Sequence, residues 1–240
     1  MKYIVLIISI IGCYFISALI HELGHIIYGL INHWKLFMLV VGPIKIYREN
    51  INSKLKIGIE KNITLWCGVG GTFPIKKSED NIKVWARILL AGPLTSIIFG
   101  ILMLPLFFHT KNIILLMLSL MPIAMGIMCI IPMKMKTGLL YNDGTRYKRL
   151  KNGGQEQLEE MSIFQLSEIT IFDGEDVLFP EILIVPLLDS KDYELNYYGY
   201  YCSYKNAMRN NKLDEADMQL SNMEKIKGKV PKIIIDDCKI

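Results

Sequence analysis

The sequence predicts a mainly α-helical, polytopic membrane protein. It has a core of three transmembrane helices, a small β region at the membrane surface and a helical cytoplasmic tail. Three observations lead there. Apolar residues make up 52% of the 240 residues against 21% charged, and the mean hydropathy of +0.32 is high for a water-soluble chain. The apolar residues are gathered into long, nearly uncharged runs before Pro132, whereas most acidic residues follow Thr137. Three of those runs are long enough to cross a bilayer core. This asymmetry excludes a simple soluble globule, a disordered chain and a secreted disulfide scaffold. The net charge of +4 is spread along loops, so nucleic acid is not an expected partner. Five scattered cysteines with no CxxC pair indicate neither a disulfide frame nor a cysteine-based metal site.

The first run, residues 3–20, carries no charge; His21-Glu22-Leu23-Gly24-His25 and a further apolar piece, 26–31, follow it. As one helix over 3–31 it would be about 43 Å long. No small-residue cleavage site follows, and the run exceeds a signal-peptide core, so it is expected to be retained. Residues 36–76 read as strands. Leu55, Ile57 and Ile59 alternate with polar or small residues, as do Ile63, Leu65, Cys67 and Val69, and Gly42-Pro43 and Gly70-Gly71 supply turns. The second span, 84–108, contains Arg87, Gly92-Pro93 and Pro105, and the third, 113–131, contains Pro122. Only residues 109–112 separate them, which predicts an antiparallel hairpin.

Lysine and arginine bias orients the core. Residues 32–83 hold nine Lys or Arg against four acidic residues, Lys134 and Lys136 follow the third span, and the 109–112 loop holds one lysine. The β region and the tail are therefore expected in the cytoplasm, with the N-terminus outside. The chain divides into a membrane core, 1–150, and a tail, 151–240. In the tail 155–166 reads as an amphipathic helix, and 197–224 resembles one tetratricopeptide-type helix pair, a surface suited to a protein partner. The apolar stretch 177–188 is too short for a fourth span.

His21-Glu22-Leu23-Gly24-His25 carries the chemistry. Histidines at i and i+4 share one helical face and can ligate one Zn²⁺, and the intervening glutamate can act as general base toward an attacking water. Three ionisable residues in an apolar helix are costly unless paired or metal-bound. A metzincin-type third histidine would fall at position 31, which is Ile31. Glu49, Glu60, His33 and Asp143 are the remaining groups. His33 is about 80° off the face of His25, and both glutamates sit in a lysine-rich, strand-like loop. Asp143 follows the third span, although Asn142-Asp143-Gly144 also reads as an ordinary turn. Tyr28, His33 and Trp34 read as interfacial residues, and Gly24, Gly29 and Gly92 as points of close packing.

HExxH at His21–His25, Ala91-Gly92-Pro93-Leu94 in the second span and Asp143-Gly144 beyond the third occur in the order found in the site-2 protease family of intramembrane zinc metalloproteases, and residues 1–150 resemble that family. The resemblance implies a zinc endopeptidase of a bacterial cell membrane. His21, His25 and Asp143 would hold Zn²⁺, and Glu22 would be the catalytic base. The substrate would be a membrane-embedded or membrane-associated peptide or regulator. A substrate helix would have to unwind, and the strand region near 54–70 could receive it along a sheet edge. Two positions differ from the family pattern. Many relatives follow Gly-Pro with an asparagine, where this chain has Thr95-Ser96. Their proline also lies close to Asp-Gly, whereas Pro132 is well upstream of Asp143 and implies a longer loop. The alternative reading is a non-catalytic, membrane-anchored relative that binds substrate or partners; the intact Glu22 argues against it.

Overall fold

A computed structural model of the chain describes residues 2–133, 136–137, 140–174 and 177–238. Lys134, used above for orientation, lies outside them. The chain is mostly helical and divides into two compact units: residues 1–132 with 143–147, and residues 133–142 with 148–240.

The first unit is built on three helices, α1 (Lys2–Ile31), α2 (Asp80–Thr110) and α3 (Ile113–Ile130), each long and apolar enough to cross a membrane. The first two turns of α1 leave Tyr3, Ile4, Ile7 and Ile8 more than half exposed, as a lipid-facing surface requires. The α2–α3 connection is tighter than expected, because helix continues through Thr110. Lys111 takes a left-handed conformation (φ 56°) and Asn112 caps α3 by accepting from the Ile114 N–H at 2.9 Å. Small residues let these helices approach closely. A Cβ on Gly24 of α1 would stand 2.7 Å from the Ala91 carbonyl of α2, and one on Gly126 of α3 would stand 2.5 Å from the Pro93 carbonyl.

Between α1 and α2 lies a four-stranded antiparallel sheet in the order β3 (Lys56–Ile59), β2 (Ile44–Tyr47), β1 (Lys35–Val41), β4 (Val69–Phe73). Gly42, at φ 57°, turns the β1–β2 hairpin. The expected strand over Ile63–Val69 is instead a short 3-10 helix, Ile63–Cys67, ahead of β4. The Asn62 carboxamide accepts from the Thr64 N–H at 3.1 Å and its hydroxyl at 2.7 Å, and the Trp66 indole donates to the Glu60 carbonyl at 3.0 Å. These local bonds outcompete a ladder that the alternating pattern would need a partner strand to form.

The sheet does not cap the end of α1; it runs along its flank. A Cβ on Gly29 would overlap Thr72 of β4, one on Gly70 would press on Glu22, and one on Gly42 would meet the Phe15 ring at 3.4 Å. Trp34, expected at an interface, is buried at the α1–β1 junction, where its N–H donates to the Gly29 carbonyl at 2.9 Å.

The second unit is helical apart from a small ladder of β5 (Lys136–Thr137) and β6 (Leu140–Tyr141), which occupies the long connection after Pro132. Helix α4 (Asp143–Asn152) begins in the first unit and ends in the second, followed by α5 (Gly154–Asp173), α6 (Glu181–Leu188), α7 (Tyr193–Arg209), α8 (Leu213–Ile226) and α9 (Lys232–Asp237). Ile163, Leu166, Ile184, Leu187, Leu195 and Cys202 form one core of this unit; Tyr197, Met223, Val230 and Ile234 form another. Arg149 is buried with Glu159 and Glu160, its Nε lying 3.0 Å from Glu160 Oε1, so the buried charges are paired. Helices α7 and α8 pack as a pair about a turn whose Asn211 is left-handed (φ 55°).

Candidate metal centre

The i, i+4 spacing on α1 places His21 and His25 on one face, with Nε2 atoms 3.2 Å apart. The face is turned inward: His21, Glu22 and His25 are all buried. Asp143, the first residue of α4, completes the cluster. Its Oδ2 lies 3.2 Å from His21 Nε2 and 3.5 Å from His25 Nε2. Among the described residues, these three form the group whose ligand atoms converge closely enough to share a metal ion.

The outer ring nitrogens show why the donors point this way. His25 Nδ1 donates to the Ile88 carbonyl of α2 at 2.7 Å, and His21 Nδ1 lies 3.1 Å from Ser96 Oγ. A ring whose Nδ1 carries the proton presents a bare Nε2 lone pair to the centre. Two such nitrogens and a carboxylate oxygen facing one point are a donor set for Zn²⁺, with a fourth position left for reactants. The residues therefore fit the metal.

Close backbone contacts make this arrangement possible. Gly92, beside Pro93, lies under the His25 ring, where any Cβ would overlap the imidazole. Gly144 does not serve a tight turn, since it is helical; it allows α4 to abut the Ile130 carbonyl at the end of α3. Arg146, one turn further along, stacks its guanidinium 4.6 Å over the Trp85 ring and ties the start of α4 to α2. Burial alone would raise the Asp143 carboxyl, but the neighbouring His25 and His21 more than offset it and hold it well below the usual carboxylate range.

Glu22 points to the sheet. The Gly70 N–H of β4 hydrogen-bonds its carboxylate. A Cβ on Gly68 would stand 2.8 Å from Oε1, and one on Gly70 would stand 2.7 Å from Oε2. Gly68 and Gly70 therefore clear the space around this carboxylate, a role the turn reading of Gly70-Gly71 did not reveal.

The remaining candidates lie elsewhere. Glu49 is exposed and paired with Lys56 at 2.6 Å. Glu60 accepts from the Asn62 N–H at 2.9 Å and lies 3.4 Å from Lys45; these partners hold its pKa below the ordinary value. His33 is exposed at the end of α1, with φ 62°. Sequence reasoning missed Ser96 and the Ile88 carbonyl. The first was visible only as a departure from the Gly-Pro-asparagine pattern, and a backbone carbonyl leaves no trace in sequence.

Three helices are long and apolar enough to cross a membrane, and the buried HExxH of α1 meets Asp143 in a group able to hold a metal ion. Residues 9–232 match peptidase family M50, and the chain belongs to this family, the site-2 proteases, which are zinc metalloproteases. No curated protein and no solved structure matches the chain.

Proposed function

We propose that this protein is an intramembrane zinc endopeptidase that hydrolyses a peptide bond of a membrane-embedded or membrane-associated peptide or regulator. The observation that carries the reading is the convergence of His21, His25 and Asp143 beside the buried Glu22. In this reading the first three hold Zn²⁺. When bound, the ion supplies Lewis acidity, which polarises a scissile carbonyl and lowers the pKa of a water. Glu22, held by the Gly70 N–H, takes a proton from the attacking water and delivers it to the departing amine.

Strand β4 supplies a place for the substrate. Among the described residues it pairs with β1 on one side, and its Gly70 N–H is turned toward Glu22. An unwound peptide adding along that outer edge would bring its backbone to the general base. The receiving strand is thus β4, at the far end of the region marked out from sequence. The test is cleavage of a transmembrane peptide by the full chain in proteoliposomes. Cleavage should stop when a chelator strips the metal and return with one equivalent of Zn²⁺; cleavage indifferent to the chelator would overturn the assignment.

In this reading three helices cross a bacterial cell membrane, and the lysine and arginine bias supports the N-terminus outside with the sheet and tail in the cytoplasm. Reporter fusions after Lys77 and at the C-terminus should read cytoplasmic, and one at Lys111 external. A C-terminus on the outer side would require a further crossing and would reject this topology.

A further inference from the structure

We propose that Ser96 is the positioning residue that sets the His21 ring for the metal, a buried hydroxyl whose oxygen lies against Nδ1 and accepts its hydrogen when Nε2 faces the ion. This rests on the zinc-centre reading above.

The two histidines are not held alike. His25 Nδ1 faces the Ile88 carbonyl at 2.7 Å, which can only accept, so that ring carries a proton on Nδ1. His21 Nδ1 faces Ser96 Oγ at 3.1 Å, and a hydroxyl both donates and accepts. With Nε2 turned to a metal, Nδ1 carries the ring's proton, and the Ser96 oxygen accepts it and fixes the ring's tilt.

The place of Ser96 is built for this contact. Ser96 is fully buried on α2, and its Cβ is among the closest atoms to Gly126 of α3, where a Cβ would stand 3.2 Å away. The absence of a side chain at Gly126 leaves Ser96 its room. A second serine provides the comparison. Ser119 of α3 is equally buried, but its hydroxyl donates to the Leu115 carbonyl of its own helix at 2.7 Å.

The test measures zinc affinity of the full chain in detergent by competition with a chelator of known strength. Loss of an outer hydrogen-bond partner weakens a metal site by about 10–100-fold, and Ser96→Ala should show that loss. Ser119→Ala should stay within about twofold of the parent, and Ser96→Thr, which keeps a hydroxyl, should bind more tightly than Ser96→Ala. Cobalt(II) loading gives a second readout: the visible bands should move in Ser96→Ala, where the ring is free to tilt, and not in Ser119→Ala. Parent-like affinity in Ser96→Ala, equal weakening in Ser119→Ala, or loss of helicity in the metal-free Ser96→Ala protein would each overturn the positioning role. Failure of the parent to bind zinc would instead reject the centre itself.

Discussion

Glu22→Gln is expected to lower peptide cleavage by about 10²–10⁴-fold, the range a general base supplies, while zinc content stays at the parent level. The substitution keeps the side chain's size and an oxygen for the Gly70 N–H, and it leaves His21, His25 and Asp143 untouched. What it removes is the capacity to accept a proton from the attacking water. Measuring bound zinc and single-turnover cleavage on the same preparation separates the two effects. Parent-like turnover in the purified variant would show that another group carries the proton. A variant that loses its zinc would show that Glu22 supports the metal site rather than the chemistry.

Asp143→Ala should act on both quantities. Two imidazoles alone form an incomplete set for a catalytic zinc, so affinity should fall by at least about 100-fold, more than loss of an outer partner costs, and cleavage should fall with it. The alanine also removes the carboxylate beside His21 and His25, at 3.2 and 3.5 Å. Glu49→Ala and Glu60→Ala provide the contrast, because their carboxylates are engaged by Lys56 and by Lys45 with Asn62. Both should keep their zinc. Retention in Asp143→Ala with loss in either glutamate variant would move the third ligand into the sheet.

The parts of this centre differ in how far sequence alone reveals them, and the difference follows chain separation. His21 and His25 are four residues apart on one helix, so spacing fixes their common face. Asp143 is 122 residues from His21, and no periodicity connects them; it became a candidate only because a separate span returned to the same side and because of a family resemblance. Ser96 lies 75 residues from His21, and the carbonyl of Ile88 63 from His25. Their roles depend on how closely α1 and α2 approach, which Gly24 and Gly92 permit but do not announce. The three long apolar runs were legible because a helix able to cross a membrane needs about twenty mostly apolar residues in a row. The Ile63–Cys67 segment was misread because Asn62 and Trp66 close local hydrogen bonds there, and an alternation of side chains carries no information about those bonds.

The sheet's position along the flank of α1 sets a depth as well as a contact. His25 is six residues and His21 ten residues before Ile31, where α1 ends, so the centre lies about 9–15 Å up the helix axis from that end. Extended backbone covers about 3.3 Å per residue. A peptide entering from the α1 terminus and lying along β4 would therefore reach Glu22 with its third to fifth residue. If the chain cleaves as proposed, the cut would fall at a fixed distance from the α1 terminus, and about one turn of a substrate helix would have to unwind to reach it.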